Sequence, residues 1–164
     1  MTKTDILASL TRETAIVKHL ATKLKLRHLS HRFSPEQRSI AELLVYLAVQ
    51  LEGTVAWFLD GTWDRWEQLE GSVKNLKPKT FATAMDRQLA SVKKKLAKIS
   101  DTDLAKKQVK APSGEIIPLG TALVEYTLKF AVAYRMQLFL QAKHAGVEKL
   151  SSANLWHGKD GKAH

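Results

Sequence analysis

Residues 41–53 read AELLVYLAVQLEG, and their spacing decides the fold. Taken from Ile40 to Phe58, the run sets Ile40, Leu43, Leu44, Leu47, Leu51, Val55 and Phe58 at three- and four-residue intervals, one broad face of an α-helix. A stripe that wide suits a helix packed against two neighbours rather than one. Upstream, Ser34 can cap, Pro35 fits a first helical position and Gln37 completes a capping-box pattern, so the helix is expected to start there. Asp60 and Gly61 close it.

Three more segments carry the same period. Ile6, Leu10, Val17, Leu20 and Leu24 predict a helix over about residues 4–29. Glu13 falls on that apolar face, where an acid is expected near an end or paired with a base. From Pro78 to Ile99, Phe81, Met85, Leu89, Val92, Leu96 and Ile99 recur at near-heptad spacing. Pro118 opens the last long helix, with a predicted seam of Leu119, Leu123, Tyr126, Phe130, Ala133, Gln137 and Leu140 and a closing Gly146 suited to the C′ position.

The connections differ in kind. Residues 61–77 are polar and read as a long loop, pinned by Trp57, Trp63 and Trp66; the same indoles could line a ligand pocket. Ser100 and the aspartates after it suit a cap and a short helical turn, and Pro112-Ser113-Gly114 a turn between short extended arms. The chain is therefore expected to be all-α: a four-helix bundle with a long connection between its second and third helices and a hairpin-like turn before its fourth. The bundle is assigned to residues 1–150 and a partly docked tail to 151–164. In that tail Leu155 and Trp156 are expected to dock and the last residues to fray.

Composition narrows the function classes. At 164 residues, with 45% apolar and 26% charged side chains, the chain suits one globular domain rather than a disordered one. It has no cysteine, which excludes disulfides, thiolate metal sites and a cysteine nucleophile. The opening MTKTDILASLTRET lacks a signal-peptide core, and no segment approaches ~18 uninterrupted apolar residues. A cytoplasmic protein without membrane association is expected.

The net charge of +10 is unevenly placed: residues 74–110 hold eleven Lys or Arg against three Asp, whereas residues 39–73 hold one Arg against six acids. The basic half could attract nucleic acid, an acidic partner or an anionic small molecule. Lys93, Lys94 and Lys95 fan out at ~100° per residue and cannot share one ligand. Arg87, Lys94 and Lys98 do lie along one side, followed by Lys106, Lys107 and Lys110. No aromatic side chains are interleaved and no helix-turn-helix or RRM pattern is present, so a solvated face is preferred to a nucleic-acid track.

No catalytic constellation stands out. Of the six histidines, only His28 and His31 share a helical i,i+3 spacing, which makes them a secondary candidate for a metal pair completed from elsewhere. Their place among Arg27 and Arg32 at a helix end favours a helix-dipole role, as does His144 in the turn before Gly146. His19, His157 and His164 have no such partner in the sequence. GxxxxGK[ST], GxGxxG and GxSxG patterns are absent, as are inward ExxH pairs.

Three stretches, RSIAELLVYLAVQLEG (38–53), LAKISDTDLAKKQVKAPSGEIIPLGTAL (96–123) and AYRMQLFLQAKHAG (133–146), together resemble the DinB/YfiT family of bacterial four-helix bundles. The match in pattern covers most of residues 1–150. The resemblance implies a homodimer and a nickel or zinc site held by three histidines, one in the second helix and an HxxxH pair in the last. In this sequence those positions are Tyr46, Phe130 and Tyr134. A phenol with a pKa of ~10 is a poor substitute for imidazole, and phenylalanine cannot ligate.

A metal-free, degenerate site with no cofactor is therefore expected. The two hydroxyls would pair with each other, with Gln50 or Gln137, or with water. The candidate pocket is Tyr46, Gln50, Trp57, Trp63, Phe130, Tyr134 and Gln137. The expected function is that of a small-ligand-binding or interaction module. A second possibility is a thiol-dependent transferase, which would need Tyr46, Tyr134 or a histidine to activate the thiol. A third is nucleic-acid binding through residues 74–110.

Overall fold

The first two long helices begin on capping chemistry held in the local sequence, in one case on a different residue from the one expected. In the computed structural model, which describes residues 1–161, α1 (Lys3–Thr22) starts at Thr2, whose side chain and Asp5 form a reciprocal capping box. It stops short of residue 29. The chain turns through a 3₁₀ segment, Leu26–His28, which keeps Leu24 and His28 buried while Leu26 faces solvent.

α2 (Ile40–Asp60) starts at Ser39, not at Ser34. Ser39 Oγ accepts the Glu42 N–H, and Glu42 Oε2 accepts the Ser39 N–H at 2.7 Å. A carboxylate at this position gains from the helix dipole, as the neutral Gln37 could not, and Arg32 reaches it at 3.2 Å. Gln37 forms only a turn back to Ser34. At the other end Gly61 adopts φ 75°, which terminates α2 without the cost a Cβ would carry there. By length and composition α2 is apolar enough to cross a membrane, and 72% of that apolar window is buried inside the bundle.

Residues 61–77 are not a loop. They hold α3 (Asp64–Val73), which buries Leu69 and Val73 and packs on α2. The two helices meet at Gly53, where an added Cβ would lie 2.4 Å from the Trp66 ring. α4 (Pro78–Ala97) follows, then α5 (Asp101–Lys106), capped by Ser100 as expected. β1 (Gln108–Lys110) and β2 (Ile116–Pro118) pair antiparallel around the Pro112–Gly114 turn, with Val109 opposite Ile117.

The last long helical segment is composite: α6 (Leu119–Ala122), a π turn (Leu123–Leu128) and α7 (Lys129–His144). A π turn takes in one more residue than an α turn, so the face that points inward advances by one position beyond it. The predicted seam holds at Leu119 and Leu123 and then shifts. Thr127, Ala131, Arg135, Leu138 and Ala142 are buried in place of Tyr126, Phe130, Ala133, Gln137 and Leu140.

The four long elements close a ring, with α1 on α4, α4 on α2, α2 on α7 and α7 on α1. Their apolar faces form one core. Glu13 enters it paired with Arg135, whose Nη1 donates to Oε1 at 2.9 Å and joins the first long helix to the last. The tail forms α8 (Ser152–His157) against α1. Leu155 docks as expected; Trp156 stays 46% exposed, its ring 5.0 Å from the Arg135 guanidinium carbon. The expected fraying of the final residues, and His164, fall outside the described residues.

Candidate functional site

Tyr46 projects from α2 and Tyr134 from α7, and because those helices pack together the two rings meet with centroids 4.4 Å apart. Phe130, one helical turn before Tyr134, lies 6.4 Å from it edge-on, and Trp66 lies 5.4 Å from Tyr46. The positions that the resemblance assigns to metal ligands thus form part of a chain of touching aromatic rings.

Arg38 covers them. Its guanidinium carbon stands 4.4 Å from the Tyr46 centroid and 5.7 Å from that of Tyr134, a cation over two π faces. Its backbone is held in place by Gln141, which donates to the Arg38 carbonyl at 3.0 Å. Among the described residues the guanidinium has no hydrogen-bond or ion-pair partner.

The electrostatics follow from burial. Removal from water pushes the Tyr46 phenol well above its ordinary value of 10, and the neighbouring Tyr134 adds to this, while Arg38 acts in the opposite sense. Tyr46 is therefore a neutral phenol at physiological pH and supplies neither an anionic ligand nor a base.

Clefts open on both sides of Arg38. One, of about 550 Å³, is lined by Arg38, Tyr46, Arg32 and Lys74 together with the acids Glu36, Glu42 and Glu70. The other, of about 700 Å³, is lined by Arg38, Phe33, Tyr134, Met136, Gln137 and Leu140. Both fall within the size range of small-molecule sites, ~300–1,000 Å³.

No family model matches this sequence, and no curated protein does either. Solved structures do match. YjoA, a DinB-like protein of Bacillus subtilis, aligns over 90% of this chain and 95% of its own, with a TM-score of 0.67 and 14% identity. A DinB-like protein of Bacillus cereus aligns over 92% and 98%, with a TM-score of 0.66 and 20% identity. The chain has the DinB-like fold.

Within the DinB-like fold of this chain the expected pocket does not form as one unit. Gln50 is fully buried and donates to the carbonyls of Tyr126 and Thr127 rather than to either phenol. Its neighbour Thr54 shares a 2.9 Å hydrogen bond with Thr127. These side chains brace the π turn. Trp57 and Trp63 stack on each other at 4.3 Å, and Trp57 Nε1 donates to the Lys110 carbonyl at 3.2 Å, so they tie the β1 segment to α2. Phe130 lies 36% exposed at the surface. Only Tyr46, Tyr134 and Gln137 line a cleft beside Arg38.

The second metal candidate also separates. His28 is buried, and its Nδ1 accepts the Lys25 N–H at 3.0 Å. His31 instead faces His144, with ring nitrogens 3.0 Å apart, and Phe33 packs edge-on against both rings. Among the described residues no three His, Asp or Glu side chains are grouped to hold a metal.

Three of these residues carry no signal in the sequence pattern. Arg38 opens the stretch RSIAELLVYLAVQLEG yet lies outside its helical period, so nothing local places it over the rings. Arg135 lies midway between the expected seam positions Ala133 and Gln137 and turns inward because of the π turn. His144 fits the helix dipole at the end of α7, and only folding brings His31 beside it.

Proposed function

We propose that this DinB-like chain is a metal-independent binding module that takes a small carboxylate-bearing ligand beside Arg38. The observation that carries this reading is a guanidinium stacked on Tyr46 and Tyr134, without a counter-ion among the described residues, between two clefts. A planar fork held by stacking loses little freedom on binding and matches a carboxylate bidentately. The aromatic residues at the ligand positions of the family support a degenerate metal site.

Titration calorimetry with benzoate and succinate tests it. Saturable binding that is lost in Arg38→Ala is the expected result. No binding of either, or binding unchanged by that substitution, counts against the reading. Stoichiometric zinc or nickel binding would overturn the metal-independent part.

Association with a second copy is a further reading, favoured by one observation. Phe33 at 44%, Leu140 at 46% and Phe130 at 36% exposure leave large apolar side chains facing solvent. Burying them would remove apolar surface from water. Light scattering should give a dimer that Leu140→Glu dissociates; a monomer at micromolar concentration would reject it.

Thiol transfer and nucleic-acid binding are less well supported. A thiol-dependent transferase needs a base near the thiol, and Tyr46 is held protonated. A nucleic-acid track needs a continuous basic surface, whereas Lys77 and Lys79 line a different cleft from Lys94 and Lys98, and Arg87 a third.

A further inference from the structure

The basic half of the chain is not a uniform solvated face. Between α2, α3, α4 and the residue after α5 lies a cleft of about 450 Å³. Arg65, Lys94, Lys95, Lys98 and Lys107 line it together with Glu52 and Asp60, an excess of three positive charges.

The two acids are already engaged. Glu52 is only 1% exposed; its Oε1 accepts Arg65 Nε at 2.8 Å and Ser91 Oγ at 2.8 Å, and Arg65 Nη2 approaches it at 2.7 Å. Asp60 lies 3.7 Å from Lys95. Lys94, Lys98 and Lys107 are left without a carboxylate partner among the described residues. Three ammonium groups facing one concavity repel each other unless an anion lies between them.

Their positions are fixed by the fold. Lys94 in the last turn of α4 and Lys98, its C-cap, are four residues apart and so lie on one side. Lys107 follows α5, where its carbonyl accepts the Leu119 N–H at 2.8 Å and its N–H donates to the Asp103 carbonyl. The buried Glu52 carboxylate aims Arg65 toward the same space. Leu59 and Ile99 supply an apolar wall.

We infer that this cleft is a binding site for a small phosphate ester, whose oxyanion is held by Lys94, Lys98 and Lys107 and whose carbon portion lies against Leu59 and Ile99. Point-charge ammonium groups suit the several oxygens of a phosphate. The limited volume of about 450 Å³ favours a small molecule over a nucleic-acid backbone, which would need the separate clefts holding Lys74, Arg87, Lys77 and Lys79 to join into a track. This site is separate from the Arg38 clefts and stands without them.

Calorimetric titration of the full chain with inorganic pyrophosphate and with AMP at low salt tests the inference. One-to-one saturable binding is expected. The double substitution Lys94→Ala/Lys98→Ala should weaken it by at least about tenfold. Lys18→Ala/Lys79→Ala removes the same charge from another cleft and should leave affinity within about twofold. Lys79, Lys94 and Lys98 are exposed while Lys18 is half-buried and paired with Asp86 at 2.6 Å, and a circular-dichroism melt checks that both variants fold. No binding heat, or equal weakening in both variants, would overturn the site. So would a single-stranded oligonucleotide that binds more tightly than AMP and weakens equally in both variants, since that outcome assigns the lysines to bulk attraction for nucleic acid. Arg38→Ala should leave pyrophosphate binding unchanged, so failure of the carboxylate site and failure of this one are distinguishable.

Discussion

Gln50 donates its side-chain amide to the carbonyl of Thr127 at 3.0 Å, across 77 residues of sequence. It also reaches the Tyr126 carbonyl at 3.3 Å. A π turn displaces backbone carbonyls from their usual partners, and a buried carbonyl without a donor is costly. Gln50 supplies that donor from the neighbouring helix.

Removing the amide leaves two carbonyls of the π turn short of a partner inside the core. Gln50→Ala is expected to destabilise the fold by about 1–3 kcal/mol, and the cavity it leaves adds to this. Urea denaturation followed by circular dichroism measures the loss. A change below about 0.5 kcal/mol would show that the π turn holds without this brace.

At Gly53 the added methyl of Gly53→Ala would lie 2.4 Å from the Trp66 ring, well inside contact distance. α3 must then move away from α2. A cost of about 1–3 kcal/mol is expected, as for other overpacked contacts, together with a change in indole fluorescence. Wild-type stability and an unchanged emission spectrum would mean that Trp66 has room to shift.

Two buried titratable groups pull the pH dependence in opposite directions. Burial holds the His28 pKa below 6.5, and the nearby Arg27 and Lys25 add to this. The folded chain keeps His28 neutral while the unfolded chain takes up a proton near pH 6.5, so its contribution is full above that value and lost as the pH falls below it. Glu13 is the reverse case: burial raises its pKa above 4.5 despite Arg135. Stability linked to Glu13 therefore falls as the pH rises through the window just above 4.5. Denaturation midpoints between about pH 5 and 7 should decline with acidity in the wild type. His28→Gln should flatten that decline, and Glu13→Gln should steepen it toward the acid end. An identical slope in all three proteins would contradict both assignments.

The rings of Tyr46, Phe130 and Tyr134 share one face between α2 and α7. If they occupy former ligand positions, the triple substitution Tyr46→His/Phe130→His/Tyr134→His should create a zinc or nickel site, with binding at micromolar or tighter. Calorimetry with each ion checks it against the wild-type chain. Failure of the folded triple variant to bind either ion would separate this fold from a simple three-histidine ancestor.

Much of the fold was legible because it rests on local chemistry. The periodicity of α1, α2 and α4, the αL glycine after α2, the Ser100 cap and the Pro112–Gly114 hairpin are each encoded within a few residues of where they act. Start points were harder. Ser34-Pro35-Glu36-Gln37 and Ser39-Ile40-Ala41-Glu42 both suit a capping box, and the second gains the charge of Glu42 and its partner Arg32.

α3 leaves no period in the sequence because its apolar contribution, Leu69 and Val73, is sparse; α2 offers it Gly53 as a landing place. The π turn was invisible for a related reason. Leu119 and Leu123 continue equally well into either seam, and only the donor on Gln50 and the hydroxyl of Thr54 favour the turn that buries Thr127.

By itself the sequence determined an all-α chain of four long amphipathic helices, the order of its connections, and the aromatic identity of positions 46, 130 and 134. Tertiary structure decided which residues share a site: Arg38 over two phenols, Glu13 with Arg135, His31 with His144, and three lysines around one cleft. The physical reason is range. Capping and periodicity act over one or two helical turns, whereas a one-residue advance in a π turn rotates everything after it, and no local pattern records which face then meets which neighbour.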